Sequence, residues 1–226
     1  MSILNSYYSG GYPKLVMFDL DGTLVDTAPD IARAVNIALT QLALPTVSED
    51  KVRLWLGNGA DMLIRRALTN GDDSKTLDQA LWDKALTALL AVYPYHHEAG
   101  YVYAGVKPYL EFLAKQAIKM AVVTNKPIAF VEPLLQELGL ADNFSWLVGG
   151  GSLPHKKPAP EPLLYVLEKA VISADQALFV GDSRNDVQAA KAANVPCAAL
   201  TYGYNHGKPI AIEQPTWIID DLRELI

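Results

Sequence analysis

The sequence predicts an α/β protein, a parallel-sheet core with an all-helical segment inserted directly after the first strand. Three observations carry this. Short, nearly continuous apolar runs recur along the chain: "KLVMFDL", "KMAVVT", "WLVGG", "QALFVG" and "VPCAAL". Runs without polar alternation suit strands covered on both faces. Helical patterns separate the later runs, and strand and helix in alternation imply parallel pairing. From about Ala28 to Ala99, however, no strand pattern occurs, so helices alone interrupt the alternation.

The elements follow in chain order. The first run starts at Lys14 and ends among Asp19, Asp21 and Gly22. Within the insertion, Ile31, Val35, Ala38, Leu39 and Leu42 recur at helical spacing, as do Leu77, Leu81, Ala85, Leu89 and Val92. Between them, "KVRLWLGNGADMLIRRAL" reads as helical around a Gly-Asn-Gly turn. The expected division is a core of residues 1–27 and 103–226 and a helical cap of residues 28–102, with hinges near Asp26 to Pro29 and Gly100 to Gly105. Helices are then expected over Pro108 to Gln116, Ile128 to Leu138, Glu161 to Ala170 and Ser183 to Ala193. The last starts from an Asp-Ser cap and stops near Asn194.

Composition bounds the function. With 226 residues, 50% hydrophobic and 19% charged, the chain suits one core or a core plus a modest insertion. No apolar run approaches the roughly 20 residues that span a bilayer. The start, "MSILNSYYSGGYPK", lacks the basic and apolar regions of a signal peptide. A cytoplasmic location without membrane partners is expected. The single cysteine, Cys197, can form no internal disulfide and reads as a small buried hydrophobe. A net charge of −6 argues against a nucleic-acid partner, though not against a small phosphorylated substrate. Monomer and homodimer both stay open. His96 and His97 are adjacent, without metal-ligand spacing, and read as a solvated helix end.

In an open parallel sheet, ligands bind beyond the carboxyl ends of the strands. The residues there are Asp19 and Asp21, then Thr124 and Asn125, then Asp182 with Asp186. Asp19 and Asp21 are two apart, so both face one side while the chain stays extended, and Gly22 then permits a sharp turn. Carboxylates so placed repel unless something positive compensates. Oxygen ligands select a hard cation, Mg²⁺ where phosphate oxygens and waters complete the shell. A lysine of "HKKPAPEP" would neutralise a phosphoryl group, and Thr124 and Asn125 would donate to its oxygens. Singly, each piece has a plainer reading as a turn, a buried strand end, a helix cap or a solvated loop. "GNGAD" lacks the third glycine and preceding strand of a nucleotide-binding turn. The four pieces in order, each near a strand end, point to one site.

In combination, "DLDGTLVDT", "VVTNK", "KKPAP" and "GDSRND" resemble the four ordered motifs of the haloacid dehalogenase superfamily, covering the chain from Lys14 onward. "WLGNGAD", "VTNKP", "FVGDSRNDVQAAKAA" and "LTYGYN" look like its phosphoglycolate phosphatase branch, which carries a helical cap after the first motif. The resemblance implies a Rossmann-like core. It makes Asp19 the nucleophile, forming an aspartyl-phosphate, and Asp21 the acid and base. It implies Mg²⁺ held by the Asp19 and Asp182 carboxylates and the Asp21 backbone carbonyl, with Asp186 orienting the metal's water shell. Thr124, Asn125 and Lys157 become phosphate contacts. Lys157 rather than Lys156 matches because the family pattern is Lys-Pro-x-Pro. Asn58 and Gly59 match the cap loop facing the site, and Arg65 or Arg66 are candidates to meet a substrate carboxylate. Asp26 has no catalytic counterpart and reads as a cap or hinge residue.

The implied reaction is hydrolysis of 2-phosphoglycolate. The alternatives are a sugar-phosphate mutase of the β-phosphoglucomutase type, a phosphatase for another small ester, and a catalytically silent phospholigand-binding protein. An acid at position 21 disfavours halide removal, and "LGNGAD" offers no lysine for Schiff-base phosphonate chemistry.

Overall fold

Residues 3–4, 7–8, 11–93 and 101–226 are described by the computed structural model; His96, His97 and the Gly100 end of the second hinge lie outside the described residues. The first apolar run folds as β1 (Leu15–Phe18) and leads through a short β2 (Val25–Asp26) into four helices: α1 (Ala28–Gln41), α2 (Glu49–Trp55), α3 (Ala60–Thr69) and α4 (Gln79–Val92). The chain re-enters on β3 (Tyr101–Val102), antiparallel to β2, followed by α5 (Val106–Lys115), β4 (Lys119–Pro127) and α6 (Val131–Glu137). Next come β5 (Trp146–Gly150), α7 (Glu161–Ala170), β6 (Ala177–Gly181), α8 (Arg184–Ala192), β7 (Cys197–Leu200) and β8 (Trp217–Ile219).

The main sheet runs β5-β4-β1-β6-β7-β8, and every pairing in it is parallel. Successive residues of β1 point to opposite faces. Val16 and Phe18, with Val122 and Val180, pack against Leu110, Leu113 and Leu134 of α5 and α6. Leu15 and Met17, with Val123 and Phe179, pack against Leu163, Val166 and Val187 of α7 and α8. Both faces are therefore apolar and covered, which is why the strands read as unbroken hydrophobic runs. The chain winds outward from β1 in both directions, first to β4 and later to β6, so the switch point lies between β1 and β6, a place where ligands collect.

The inserted helices have an apolar cluster of their own, in which Val35 and Leu39 of α1, Val52 of α2, Ile64 of α3 and Leu89 of α4 meet. Tyr204, from the loop after β7, belongs to that cluster although the chain places it in the core.

Three features differ from the expectation. The strand after "KMAVV" continues to Pro127, because its register with β5 shifts between Val123 and Pro127 and pairing resumes at Gly150. Thr124, Asn125 and Lys126 thus sit in an irregular stretch of strand, where a bulge re-aims side chains. The edge strand β8 has only three residues, too few for a pattern to show. The expected helix from Ile128 begins as a 3₁₀ turn, Ile128–Phe130. Among the described residues, no helix is long and apolar enough to cross a membrane.

Candidate active site at the carboxyl end of the sheet

Asp19 continues the β1 ladder, its amide donating to the Val180 carbonyl at 2.9 Å. Its side chain turns into a buried cluster. The Lys157 ammonium lies 2.9 Å from Asp19 Oδ1 and 2.7 Å from Asp186 Oδ1. Burial alone would pull that ammonium down, but Asp186 and Asp19 hold it above its ordinary range. The other oxygen of Asp186 accepts from the Ser183 amide at 2.9 Å, the Ser183 hydroxyl at 2.6 Å and the Asp182 amide at 3.2 Å. This is a capping box at the start of α8. Both Asp186 oxygens are thus engaged, one with Lys157 and one with the helix start.

Asp182 accepts from the Thr23 hydroxyl at 2.7 Å and the Tyr204 amide at 2.6 Å. Gly22, at φ +89°, packs so closely here that a Cβ would lie 2.5 Å from Asp182 Oδ2. Glycine is therefore required on both conformational and steric grounds. Asp19, Asp182 and Asp186 each present an oxygen within 4.8 Å of the others. Burial, reinforced by Asp186 and Asp19, raises the Asp182 carboxyl well above the carboxylate range. Burial likewise pushes Asp19 up to about 6, against the pull of Lys157. Three carboxylates facing one ammonium leave uncompensated negative charge, so the donor set fits a divalent cation.

The second acid of the first motif stands apart from that cluster. Asp21 Oδ1 accepts from the Thr27 hydroxyl at 2.8 Å and from Lys126 Nζ at 3.1 Å. Lys126 also donates to the Tyr93 hydroxyl at 2.7 Å, and its side chain has no exposed surface. Burial acts to lower the Lys126 ammonium, yet Asp21 and Tyr93 keep it raised. Burial pushes Tyr93 itself up to about 12, with Lys126 opposing. Asn125 donates to the carbonyls of Gly57 at 2.9 Å and Lys157 at 2.8 Å. Its buried Oδ1 has no partner among the described residues. These groups border a cavity of about 30 Å³ lined by Asp19, Asp21, Thr124 and Lys126 on one side and by Leu56, Gly59 and Leu63 on the other.

The helices meet the core through several polar contacts. Arg53 donates to both oxygens of Asp26, at 3.1 and 3.0 Å, and the Tyr204 hydroxyl donates to the same carboxylate. Burial would raise Asp26, but the Arg53 and Tyr204 hydrogen bonds hold it below the usual carboxylate range. Lys156 pairs with Asp61 at 2.7 and 2.9 Å. The Gly57 carbonyl accepts from the amides of both Asn125 and Asn185.

The structure thus brings Asp19, Asp21, Thr124, Asn125, Lys157, Asp182 and Asp186 together, with Gly59 on the opposite wall. Asn58 lies behind that wall, donating to Asn185 Oδ1 at 3.4 Å and accepting from Arg66 at 2.8 Å. Arg65 does not reach the cavity. It donates to the carbonyls of Asp73 and Lys75 and borders a separate hollow beside Trp82. Thr23, Tyr93, Lys126 and Tyr204 join the site without a role expected for them from sequence. Lys126 stands directly after Asn125 in the second motif, which is a usable signal. Tyr93 ends α4 and reaches the site only through tertiary packing.

This sheet, with buried acids and a buried lysine at its switch point, defines an α/β enzyme that handles an anionic group. The pattern of the Haloacid dehalogenase-like hydrolase family matches residues 16–200, and the chain belongs to that family. It is similar to the phosphoglycolate phosphatase of Pseudomonas syringae pv. tomato, at 52% identity over 226 residues, spanning 100% of this chain and 83% of that protein. Phosphoglycolate phosphatase 1 of Pseudomonas aeruginosa is 49% identical over the same share of each chain. A solved structure described as a predicted phosphoglycolate phosphatase from Haemophilus somnus 129PT matches with a TM-score of 0.87 at 42% identity, covering 92% of this chain and 94% of that one.

Proposed function

We propose that the protein is a Mg²⁺-dependent cytoplasmic phosphatase that converts 2-phosphoglycolate into glycolate and phosphate, working as a monomer or homodimer without nucleic-acid or membrane partners. The observation that carries this reading is the buried Asp19–Lys157–Asp186 chain at the end of β1.

Asp19 attacks phosphorus, the bond to the ester oxygen breaks, and Asp21 delivers a proton to the departing glycolate oxygen. In the second half-reaction Asp21 accepts a proton from water as that water attacks the aspartyl-phosphate, releasing phosphate and restoring the Asp19 carboxylate. Lys157 opposes the charge that repels an anionic nucleophile from an anionic ester, and the Thr124 hydroxyl and Asn125 amide orient the phosphoryl oxygens. Mg²⁺, held by Asp19, Asp182 and the Asp21 carbonyl oxygen, would supply the larger part of that neutralisation. Asp186 keeps Lys157 and the start of α8 in place. Residues 28–102 act as a cap over this chemistry. The cavity between cap and core is small, about 30 Å³, and in this reading the cap moves to admit the ester.

The test is phosphate release from a panel of small phosphate esters with and without Mg²⁺. We expect release that depends on Mg²⁺ and is fastest with 2-phosphoglycolate. No Mg²⁺-dependent release would remove the enzyme reading. Conversion of a sugar 1-phosphate to its 6-phosphate faster than release would replace it with a mutase. Asp19→Asn is expected to reduce turnover by at least ~10³-fold.

A further inference from the structure

The proposed substrate is anionic at both ends, and the motif residues receive only the phosphoryl end. A carboxylate entering a buried cavity without a cation is strongly disfavoured. Of the described residues lining the cavity, Lys126 is the one cation. Its ammonium has three donors. Asp21 Oδ1 takes one at 3.1 Å and the Tyr93 hydroxyl another at 2.7 Å, while the third has no acceptor among the described residues.

The arginines expected to do this work are committed elsewhere. Arg65 donates to the Asp73 and Lys75 carbonyls, and Arg66 to the Trp55 carbonyl and Asn58. The side chains across from Lys126, those of Ile31, Leu56 and Leu63, are apolar, and only the backbone of Gly57, Gly59 and Ala60 interrupts them. None of these residues brings a charge to meet an anion.

We infer that Lys126 binds the carboxylate of the substrate, with the Tyr93 hydroxyl holding the ammonium in position, so that this lysine selects a carboxylate-bearing phosphate ester over a neutral one. The assignment rests on the 2-phosphoglycolate reading. A lysine that serves only to pair with Asp21 would treat all phosphate esters alike, and that difference is measurable.

The experiment compares kcat and KM for 2-phosphoglycolate and 2-hydroxyethyl phosphate, an ester of similar size with an alcohol in place of the acid. In Lys126→Met, kcat/KM for 2-phosphoglycolate is expected to fall about 10- to 100-fold further than for the neutral ester, the excess appearing in KM. Lys126→Arg should recover part of that ratio. Tyr93→Phe, which removes only a hydroxyl and keeps the fold testable if the lysine variant is unstable, should shift the ratio by about fivefold. Wild-type preference for 2-phosphoglycolate with an unmoved ratio in the variants overturns the role of Lys126 alone. A wild-type enzyme with no preference between the two esters overturns the substrate reading, and this assignment with it.

Discussion

Asp26 shows how one carboxylate can be tied down without taking part in chemistry. It accepts from Arg53, from Tyr204 and, at 3.3 Å, from the Ala28 amide. Because these contacts depress its folded-state pKa, the stability they contribute is present above the unfolded value, near 3.9, and is lost as pH falls through the lower folded value. Asp26→Asn is therefore expected to flatten the acid limb of a pH–stability curve. It should also lower stability by ~1–2 kcal/mol, discounted because Arg53 remains about one-third exposed. Chemical denaturation at several pH values checks both. At this scale the catalytic candidates were legible because residue type and spacing carry them: Asp19 and Asp21 at two-residue spacing, Asp182 and Asp186 at a helix start. Tyr93 was not, since it depends on where a distant helix ends, and Lys126 was marked only by its place after Asn125, its aim being set by an irregular strand register.

Among the elements, α3 and α8 place the two walls of the site by their first residues. Gly59 precedes α3 at φ +88°, and a Cβ there would lie 2.9 Å from Asp61 Oδ1 and 3.2 Å from the Asn125 carbonyl. Gly59→Ala should lower stability by ~1–3 kcal/mol and raise KM, since the strained loop presses on Asn125; thermal unfolding and steady-state kinetics measure the two effects. Ser183→Ala removes a hydroxyl that binds Asp186. It is expected to cost about 1 kcal/mol and lower Tm by a few degrees. Turnover should fall as well, because Asp186 then holds Lys157 less firmly. The strands of the central sheet were legible as apolar runs because both faces of the sheet are covered. β8 is too short to show, and the β2–β3 ribbon of two residues per strand has no pattern to read.

For the molecule as a whole, the contact between helices and core combines separate polar pairs with a small apolar seam, where Tyr204 joins the helical cluster and Phe130 stacks on Tyr93. Lys156–Asp61 and Arg53–Asp26 are ion pairs with exposed members, and the Gly57 carbonyl receives two core amides. Lys156→Ala should change global stability by less than ~1 kcal/mol. It should nonetheless speed amide exchange in α2 and α3 relative to the central sheet, measurable by hydrogen exchange. That the insertion is helical was plain from periodicity. How it sits on the core was not, because that depends on side chains such as Tyr204 that cross from one cluster to the other. Tyr204 also grips two acids at once, Asp182 through its amide and Asp26 through its hydroxyl. It works as a tie rod between the acid at the carboxyl end of β6 and the acid at the entrance to the inserted helices. If a cation at Asp182 favours one arrangement of those helices, that arrangement favours the cation in equal measure, since linkage runs in both directions.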